Sequence, residues 1–473
     1  MAVTTTFPAK AAAAARGNGS PRAGQATDYN LEARAGQGSI SFGLLLLFTF
    51  FLLARPQDFI GVLRPIPIAM IVGVGAMITY AASVFMGRLR FQLPIELQIV
   101  FALTIWFILG VPFSYWRGNS VDLLKDEWLK TLIIFVLITQ TLITLSRLRK
   151  LLWVIFLSGL VATGLSLALG GNFMADDNSR FMGLTRGFFS GNYLGIAAAV
   201  TLPYMAAMLI HTRSVIKSLM LLGTFGTMMS MAVFTASRGN IISIVVSLML
   251  VWVMLFRESM KARMFGMLFG LGIVLAVAAA PGVFWARVGT LWNTESIATS
   301  KNELSADQSE FQRKRLLIDS INYTLQHPIF GLGLGNFAIA HGTDSHNAQE
   351  WKGTHNTFTQ VSSEGGIPAL GLFLALLIVS LRSMWRLSRE CEGKPELAQM
   401  RALSRATIVS IVSFMLGGFF AHLAYEMYVY YLAGISVGLQ AVMEASQSST
   451  NDKSSENSLR RPFLSRKTQE ARP

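Results

Sequence analysis

The chain has 473 residues, of which 52% are hydrophobic and 14% are charged, whereas a soluble domain carries roughly 25% charged residues. Long uncharged runs recur along most of the sequence, and about 20 apolar residues in a row cross a bilayer as a helix. This composition excludes a soluble enzyme, a disordered scaffold and a secreted disulfide framework. Cys391 is the only cysteine, so no intrachain disulfide and no cysteine-built zinc site can form.

The apolar runs predict an all-α polytopic membrane protein with about twelve transmembrane helices and one large extracytoplasmic loop. The predicted spans are 40–54, 65–86, 95–116, 128–145, 151–171, 191–210, 215–236, 241–256, 264–280, 366–385, 402–424 and 427–443. The first span is short, and only Tyr425 and Glu426 separate the last two. Residues 1–39 are rich in Ala, Gly and Thr, and residues 446–473 are polar and rich in Ser, so we expect disordered cytoplasmic tails on both sides of a membrane domain over 40–445.

The distribution of Lys and Arg predicts the orientation. With the N-terminus inside, the short inner loops hold 16 basic residues and the short outer loops hold 8. Both tails then lie inside, which requires an even number of spans. Essentially the whole formal charge of +14 falls on the cytoplasmic side, where anionic headgroups attract it. The basic balance therefore indicates topology, and we expect no nucleic-acid partner.

One predicted outer loop, 281–365, is about 85 residues long, and loops of this length tend to be functional. Apolar residues recur at helical spacing in its middle, and Ser305 with Gln308 fits a capping box. We therefore expect an amphipathic helix that starts near Ser305 and ends before Pro328. The GLGLG motif at 331–335 follows this helix. No strand–helix–strand unit is predicted around the motif, so it is not a dinucleotide-binding fingerprint. We interpret it as a tight turn.

Three of the six histidines, His341, His346 and His355, lie between this motif and the tenth predicted span. His341 and His346 sit in a polar stretch that is typical of a solvated loop, and the chain contains no D-x-D motif. We therefore expect no metal site and no cofactor. His355 lies directly before the tenth predicted span, near the outer membrane–water boundary. A neutral imidazole there can accept a proton from a hydroxyl, and the alternative is an ordinary capping or loop histidine.

Four sequence patches follow one another along the chain. They are GLTRGFFSGNYLG at 183–195, TASRGN at 235–240, HPIFGLGLGNF at 327–337 and HNTFTQVSSEGGIPALGLF at 355–373. In this order, and with many spans around one large outer loop, they resemble the O-antigen ligase and polysaccharide polymerase superfamily of bacterial lipid-linked glycan transferases. The resemblance implies transfer of a glycan from a polyprenyl (undecaprenyl) diphosphate carrier to an acceptor hydroxyl. It also implies a multi-pass protein of the cytoplasmic (inner) membrane with a periplasmic active site, and the distribution of Lys and Arg predicts that both termini are cytoplasmic.

The resemblance further implies a metal-independent, inverting glycosyltransferase whose partners are the lipid-linked donor and a lipid or glycan acceptor. Arg186 and Arg238 are candidates for the donor diphosphate, because arginine stays charged and its planar fork suits phosphate oxygens. The alternative for each is an interface arginine that snorkels to headgroups. Arg313, or Arg315 in its place, is a third candidate for donor binding, with a solvated helix face as the alternative.

The same resemblance makes His355 the candidate for orienting or deprotonating the acceptor hydroxyl. Glu364 either orients His355 or caps the tenth span. His422 and Glu426, one turn apart at an outer helix end, either line the acceptor path or satisfy each other.

The acceptor stays open at this point. A lipid A core would make the protein an O-antigen ligase, a second carrier-linked glycan a polymerase, and a protein serine or threonine an O-oligosaccharyltransferase. The ligase is slightly favoured, because His355-Asn356 followed by Glu364-Gly365 resembles the ligase signature. The competing class is a transporter or flippase of the same lipid-linked oligosaccharide. Transporters often show inverted repeats and charges at the bilayer midplane, and neither is clear in this sequence.

Overall fold

The computed structural model describes residues 38–168, 193–234, 238–258, 301–346 and 351–459, together with isolated positions between 260 and 278. Every regular element in these ranges is helical. The helices are α1 Ser39–Leu53, α2 Pro56–Phe59, α3 Ile68–Phe85, α4 Ile95–Gly110, α5 Arg117–Leu123, α6 Leu129–Thr141, α7 Leu145–Ala168, α8 Leu194–His211, α9 Val215–Phe234, α10 Arg238–Met254, α11 Lys301–Gln326, α12 Phe337–Asp344, α13 Thr357–Glu390, α14 Ala398–Gly418 and α15 Tyr428–Leu459. Single 3₁₀ turns occur at Gly61–Leu63, Val111–Phe113, Phe256–Glu258 and Pro395–Leu397, and a π-helical turn at Leu124–Trp128.

Within the described residues, 7 helices are long and apolar enough to cross a membrane. They are α1, α3, α4, α7, α8, α13 and α14, and shorter apolar helices lie at Val215–Ser230 and Ile241–Met254. In the residues that the structure describes, all regular structure is thus helical and suited to a membrane, as the sequence predicts. The predicted ninth span, 264–280, lies outside the continuously described residues, so the count of twelve stays a prediction.

The end of the membrane domain differs from the predicted boundaries. Helix α14 ends at Gly418, and the non-helical segment 419–427 separates it from α15, whereas the sequence predicts only two residues between the spans. Two successive glycines, Gly417 and Gly418, end the helix because glycine has a low helix propensity. Helix α15 continues to Leu459, past the predicted start of the tail. Residues 38–442 form one compact unit.

Helix α8 lies at the centre of the bundle, buried along most of its length against α10 and α14. Serine hydroxyls join these helices. Ser247 Oγ donates to Ala199 O at 2.7 Å, and Ser410 Oγ donates to Val200 O at 2.7 Å. Each such bond in a membrane bundle is worth about 0.6 kcal/mol. The bundle therefore holds the ends of α8, α10 and α14 at fixed positions beside each other.

Helix α13 contains a break that divides it into two parts. Gly366 has φ 79° and ψ 178° inside an otherwise helical run. A Cβ on Gly366 would lie 1.9 Å from Ile329 O, and Ile367 N donates to Pro328 O at 2.8 Å. The loop before α13 therefore packs into the break, which only glycine permits. The first part of α13, 357–365, belongs to the loop region, and the remainder is the apolar part.

The predicted loop helix is present, but its start differs. Helix α11 begins at Lys301, so Ser305 and Gln308 lie inside the helix and the predicted capping box is wrong. The end at Gln326, just before Pro328, is confirmed.

Helix α11 packs on α13 with polar residues rather than with its most apolar side. Thr324 Oγ1 and Ser362 Oγ share a buried hydrogen bond of 2.9 Å. Phe311, Ile318 and Leu325, which carry the amphipathic pattern, are instead 73%, 58% and 68% exposed. The amphipathic character of the helix is therefore real, and its apolar stripe faces away from the described core.

The GLGLG motif is a tight turn, as predicted. Gly331, Gly333 and Gly335 have φ values of 65°, 85° and 71°, which side chains rarely tolerate. The turn lies directly on the first part of α13, where Leu332 N donates to Ser363 O at 2.8 Å. The turn and the start of α13 therefore form one packed unit.

The interpretation of His341 as part of a solvated loop is wrong. His341 lies in α12, is 4% exposed, and stacks on Phe337 with 5.6 Å between ring centroids. Its Nε2 lies 3.1 Å from Asp319 Oδ2 of α11. The sequence could not reveal this burial, because the partner is 22 residues away. His346 is exposed, as expected.

Candidate functional site

His355 lies directly before α13 in an uncommon backbone conformation. Its φ of 50° is in the left-handed region, which residues other than glycine rarely adopt and which recurs at functional sites. The next residue, Asn356, is the N-cap of α13. Its side-chain carbonyl oxygen accepts hydrogen bonds from Phe358 N at 2.9 Å and Thr359 N at 3.1 Å. The cap fixes the helix start, so the backbone of His355 has a defined position at the N-terminal end of α13.

The ring of His355 packs edge-on against the ring of His422, with 5.3 Å between centroids and 75° between planes. His422 belongs to segment 419–427, which is bonded to the start of α13. Thr357 Oγ1 donates to Ala421 O at 2.7 Å. A hydrogen bond next to the two imidazoles therefore joins the start of α13 to segment 419–427.

His422 also contacts the residue that precedes α8. Tyr193 OH and His422 Nε2 share a hydrogen bond of 2.9 Å, and the two rings are perpendicular. The other ring nitrogen, Nδ1, is buried and has no hydrogen-bond partner among the described residues. A Cβ on Gly353 would lie 3.1 Å from this nitrogen, so the backbone before His355 covers it. Tyr193, His422 and His355 thus form a row of three polar rings.

Burial and nearby cations keep the two histidines neutral. The pKa of His355 is lowered to about 4, chiefly by burial and also by His422, Arg313 and Lys352. Burial also lowers the pKa of His422. Both imidazoles are therefore uncharged at neutral pH, and a neutral imidazole can accept a proton.

Arg313 and Arg315 have different surroundings, although they are two residues apart on α11. The charge of Arg313 lowers the pKa of His355, which places this guanidinium in the neighbourhood of the imidazole. Arg315 Nε lies 3.8 Å from Asp319 Oδ2. Two residues correspond to about 200° around a helix, so the two arginines point to different sides.

Of the other two arginine candidates, the structure locates one. Arg186 lies outside the described residues. Arg238 is the first residue of α10, and its neighbour Gly239 approaches so closely that an added Cβ would lie 2.5 Å from Phe420 Cβ. Phe420 is in the segment that carries His422. The start of α10 therefore abuts the segment beside His355.

Glu364 is buried in the first part of α13 and binds neighbours other than His355. Its Oε2 accepts hydrogen bonds from Gly335 N at 3.0 Å and from Tyr425 OH at 2.7 Å, and its Oε1 accepts one from Phe337 N at 3.1 Å. Phe337 is the first residue of α12, so the carboxylate caps α12. Glu364 therefore holds the glycine turn and the segment after α14 against α13.

Glu426 does not sit one turn from His422 on a helix, because segment 419–427 is not helical. The pKa of Glu426 is raised to about 7, chiefly by burial and also by the charge of Glu127, while the charge of Arg55 opposes the shift. Burial likewise raises the pKa of Glu127. Glu426 thus lies near a second carboxyl group, that of Glu127. The ring of His422 instead has Tyr193 and His355 as neighbours.

Comparison with protein families matches residues 223–374 to the family described as O-antigen ligase. This region is similar to O-antigen ligases, and the matched segment 223–374 is called the O-antigen ligase domain. The resemblance predicted from the sequence patches is thereby confirmed over 152 residues (374 − 223 + 1), about a third of the chain. No curated protein matches the chain. Together with the apolar helices, the match supports a multi-pass membrane protein with a glycan-transfer function of the O-antigen ligase or polymerase type.

The O-antigen ligase domain contains only part of the site. Arg238, His355 and Glu364 lie inside the matched residues, and so does α11 with both of its arginines. His422 and Tyr193 lie outside the match. The fold thus brings residues from beyond the domain to His355.

Sequence reasoning missed three residues of the site. Tyr193 lies inside the first of the four patches, 183–195. The sequence therefore drew attention to this segment but did not indicate that Tyr193 would bond to His422. Lys352 is three residues before His355, and a search for cations close in sequence would have found it. Tyr425 gave no signal, because its role depends on a hydrogen bond to a carboxylate 61 residues earlier.

Among the residues that the structure describes, no group of three or more His, Cys, Asp or Glu side chains could hold a metal ion. The expectation of metal-independent chemistry remains a prediction. The polar groups near His355 are two imidazoles, a phenol and cationic side chains. Such a set can bind an anionic ligand and accept a proton.

Proposed function

We propose that the protein transfers a glycan from a polyprenyl diphosphate carrier to an acceptor hydroxyl at the periplasmic face of the bacterial inner membrane. The observation that carries this proposal is the placement of His355. It is neutral, lies beside cationic groups and is fixed in a strained backbone conformation at the N-terminus of α13. Backbone strain of this kind costs about 1–3 kcal/mol and persists where function requires it.

The reaction needs one base and one leaving group. The acceptor oxygen attacks the anomeric carbon, and its proton passes to the imidazole of His355. The bond between that carbon and the diphosphate oxygen breaks, and its electron pair leaves with the polyprenyl diphosphate. The transition state resembles an oxocarbenium ion. A single direct displacement inverts the anomeric configuration, so no covalent glycosyl-enzyme forms.

The donor diphosphate requires positive charge close to the base. Arg313 and Lys352 already act on His355 through their charges, and Arg238 starts the helix that abuts the segment beside it. Arg186 joins this set through the family resemblance. Arginine offers paired N–H donors to phosphate oxygens. We assign Arg313 rather than Arg315 to the diphosphate, because the charge of Arg313 acts on His355 while Arg315 lies near Asp319.

The acceptor we favour is lipid A-core, which makes the protein an O-antigen ligase. The support is the resemblance of its His355-Asn356 and Glu364-Gly365 pairs to the ligase signature. His422 belongs to the acceptor side of His355 in this proposal, since its ring packs against the imidazole. In this arrangement both termini are cytoplasmic and the donor arrives on the opposite side.

The test uses purified full-length protein in nanodiscs with a polyprenyl diphosphate-linked glycan and lipid A-core. Free polyprenyl diphosphate and extended product are both followed. His355→Ala should lower turnover by about 10²–10⁴-fold, the usual contribution of general-base catalysis. His346→Ala is the matched control, because His346 is also a loop histidine with φ 51° but is exposed. It should behave as the unaltered protein.

The acceptor that is extended names the subclass. Extension of a second carrier-linked glycan would make the protein a polymerase, and extension of a protein serine or threonine an O-oligosaccharyltransferase. If no acceptor releases polyprenyl diphosphate while the lipid-linked glycan crosses liposome bilayers, the protein is a transporter. Equal loss of activity in the two histidine variants would remove His355 from the reaction.

A further inference from the structure

A second polar site lies on the other side of α11 from Arg313. A cavity of about 250 Å³ opens between α11 and α12. Its α11 wall is a stripe at helical spacing, consisting of Arg315, Asp319, Asn322 and Gln326. This stripe is distinct from the exposed apolar stripe of the same helix.

The α12 side completes the cavity with further polar groups. His341, Asp344 and Ser345 line it there, and Tyr323 of α11 donates a hydrogen bond from its hydroxyl to Asp344 Oδ2. All eight lining residues have polar side chains. An acyl or polyprenyl chain would lose its apolar contacts in such a cavity, so a lipid tail does not fit it.

The charges in the cavity argue against a diphosphate. Arg315 contributes one formal positive charge, and Asp319 and Asp344 contribute two negative charges. Arg315 and Asp319 are already close, at 3.8 Å. An anion would therefore meet a net negative surface, whereas a neutral polyhydroxylated ligand would not.

The cavity walls are held rigidly. Leu316 and Phe337 belong to a small buried hydrophobic core that joins α11 to α12, and Tyr323 packs on it. The ring of His341 is buried and lies between this core and Asp319. A ligand would therefore meet polar groups that are already in place, which lowers the entropic cost of binding.

We propose that this cavity is a subsite that binds sugar residues of the glycan by hydrogen bonds. Carboxylates accept hydrogen bonds from sugar hydroxyls, and each has about four lone-pair sites. Oδ2 of Asp344 already accepts from Tyr323, and Oδ2 of Asp319 already contacts His341 and Arg315. The amides of Asn322 and Gln326 both donate and accept, and both residues are exposed at the cavity. The assignment rests on the proposed glycan transfer and names the part of the substrate that meets α11 and α12.

A bound metal ion is the other chemistry to consider for two carboxylates and a histidine. The described residues contain no group of three or more His, Cys, Asp or Glu side chains arranged to hold one. The remaining lining groups, an arginine and two amides, suit a sugar better, because a guanidinium repels a cation.

Binding is measured apart from transfer, with the free oligosaccharide that mild acid releases from the lipid-linked donor of the source organism. Saturation-transfer NMR detects its contact with the full-length protein in nanodiscs. Asn322→Ala with Gln326→Ala should weaken this binding at least about tenfold. Gln326→Ala alone should weaken oligosaccharide binding less than the double variant does. This single variant is the substitute test if the double variant fails to fold. Thr343→Ala is the matched control on α12, because Thr343 is exposed, does not line the cavity, and donates from its hydroxyl to Ile339 O of its own helix.

The kinetic counterpart separates binding from chemistry. The double variant should raise the KM for the donor and leave kcat unchanged. Wild-type affinity for the oligosaccharide in the double variant, or no saturation transfer to it in the wild-type protein, would overturn the proposal. Loss of binding on addition of EDTA would assign the cavity to a cation and would also overturn it. Binding without any release of polyprenyl diphosphate would overturn the proposed function and leave this subsite standing.

Discussion

Tyr425 donates a 2.7 Å hydrogen bond to Glu364 and thereby ties the segment after α14 to the first part of α13. The same carboxylate holds the glycine turn through Gly335 N and Phe337 N. Three stretches of chain that surround His355 thus meet at one buried side chain. Glu364 is a positioning residue, since its bonds reach the supports of His355 and not the imidazole.

Glu364→Gln should destabilise the protein. A glutamine amide nitrogen cannot accept a hydrogen bond, so one of three donors loses its partner at a cost of about 1–3 kcal/mol. The midpoint of thermal unfolding should fall, and Tyr425→Phe should lower it less, because both backbone donors keep their acceptor. The acid limb of the pH–rate profile should not move in Glu364→Gln. A shifted limb would mean that Glu364 acts on His355 directly.

Transfer should persist to unusually low pH. The pKa of His355 is about 4, so the imidazole stays neutral as the pH falls from 8 to 5 and takes up a proton only near 4. The rate should therefore drop around pH 4 and not around pH 6.5, where an ordinary histidine titrates.

Lys352→Met should move this acid limb to higher pH. Removal of a positive charge makes protonation of His355 easier, so its pKa rises. Lys394→Met is the control, since Lys394 lies beyond the C-terminal end of the same helix. Profiles of kcat/KM over pH 3–8 decide the matter, and an unchanged limb in Lys352→Met would contradict the electrostatic account.

Tyr193→Phe should slow transfer roughly threefold to tenfold. It removes the hydrogen bond to His422 Nε2, and one such bond contributes about 0.5–1.5 kcal/mol. The loss should appear in kcat, because the tyrosine positions the ring that packs on His355. Tyr204→Phe removes a comparable bond to Thr407 deep in the bundle and should leave kcat unchanged. Equal effects in the two variants would point to general loosening of α8.

Gly366→Ala should prevent folding of the loop region. The added Cβ would lie 1.9 Å from Ile329 O, and the φ of 79° is unfavourable for alanine. Gly371→Ala, five residues later on the same helix, meets nothing within 4 Å and should be tolerated or slightly stabilising. Detergent-solubilised yield and thermal unfolding of the two variants test this. A well-folded Gly366→Ala protein would show that the break in α13 is dispensable.

Much of the architecture could be predicted from apolar periodicity alone. The membrane helices, the helix of the large loop and the glycine turn all follow from residue patterns within a few neighbouring turns. The prediction for the start of α11 was wrong, because it rested on a local cap motif, whereas the helix continues through that motif from Lys301. The end of α14 was misplaced, because segment 419–427 is as apolar as a helix and departs from helical geometry through bonds to α13.

The site was harder to predict, for a physical reason. His355 stands out by its position before an apolar span, but its chemistry depends on the ring of His422, which is 67 residues away in sequence (422 − 355). The same holds for Glu364, whose donors lie in the glycine turn and in segment 419–427. Burial of His341 also depends on a distant partner. Sequence periodicity locates elements, whereas side-chain pairing across elements requires their packing.

The row of rings at His355 crosses the limits of the O-antigen ligase domain. Tyr193 precedes the matched residues and His422 follows them. A chimera that received only residues 223–374 would carry the base without the ring packed against it and without the tyrosine behind that ring. The recognisable part of the sequence is therefore not a portable module, and exchange between relatives should succeed only when the start of α8 and the segment after α14 are exchanged with it.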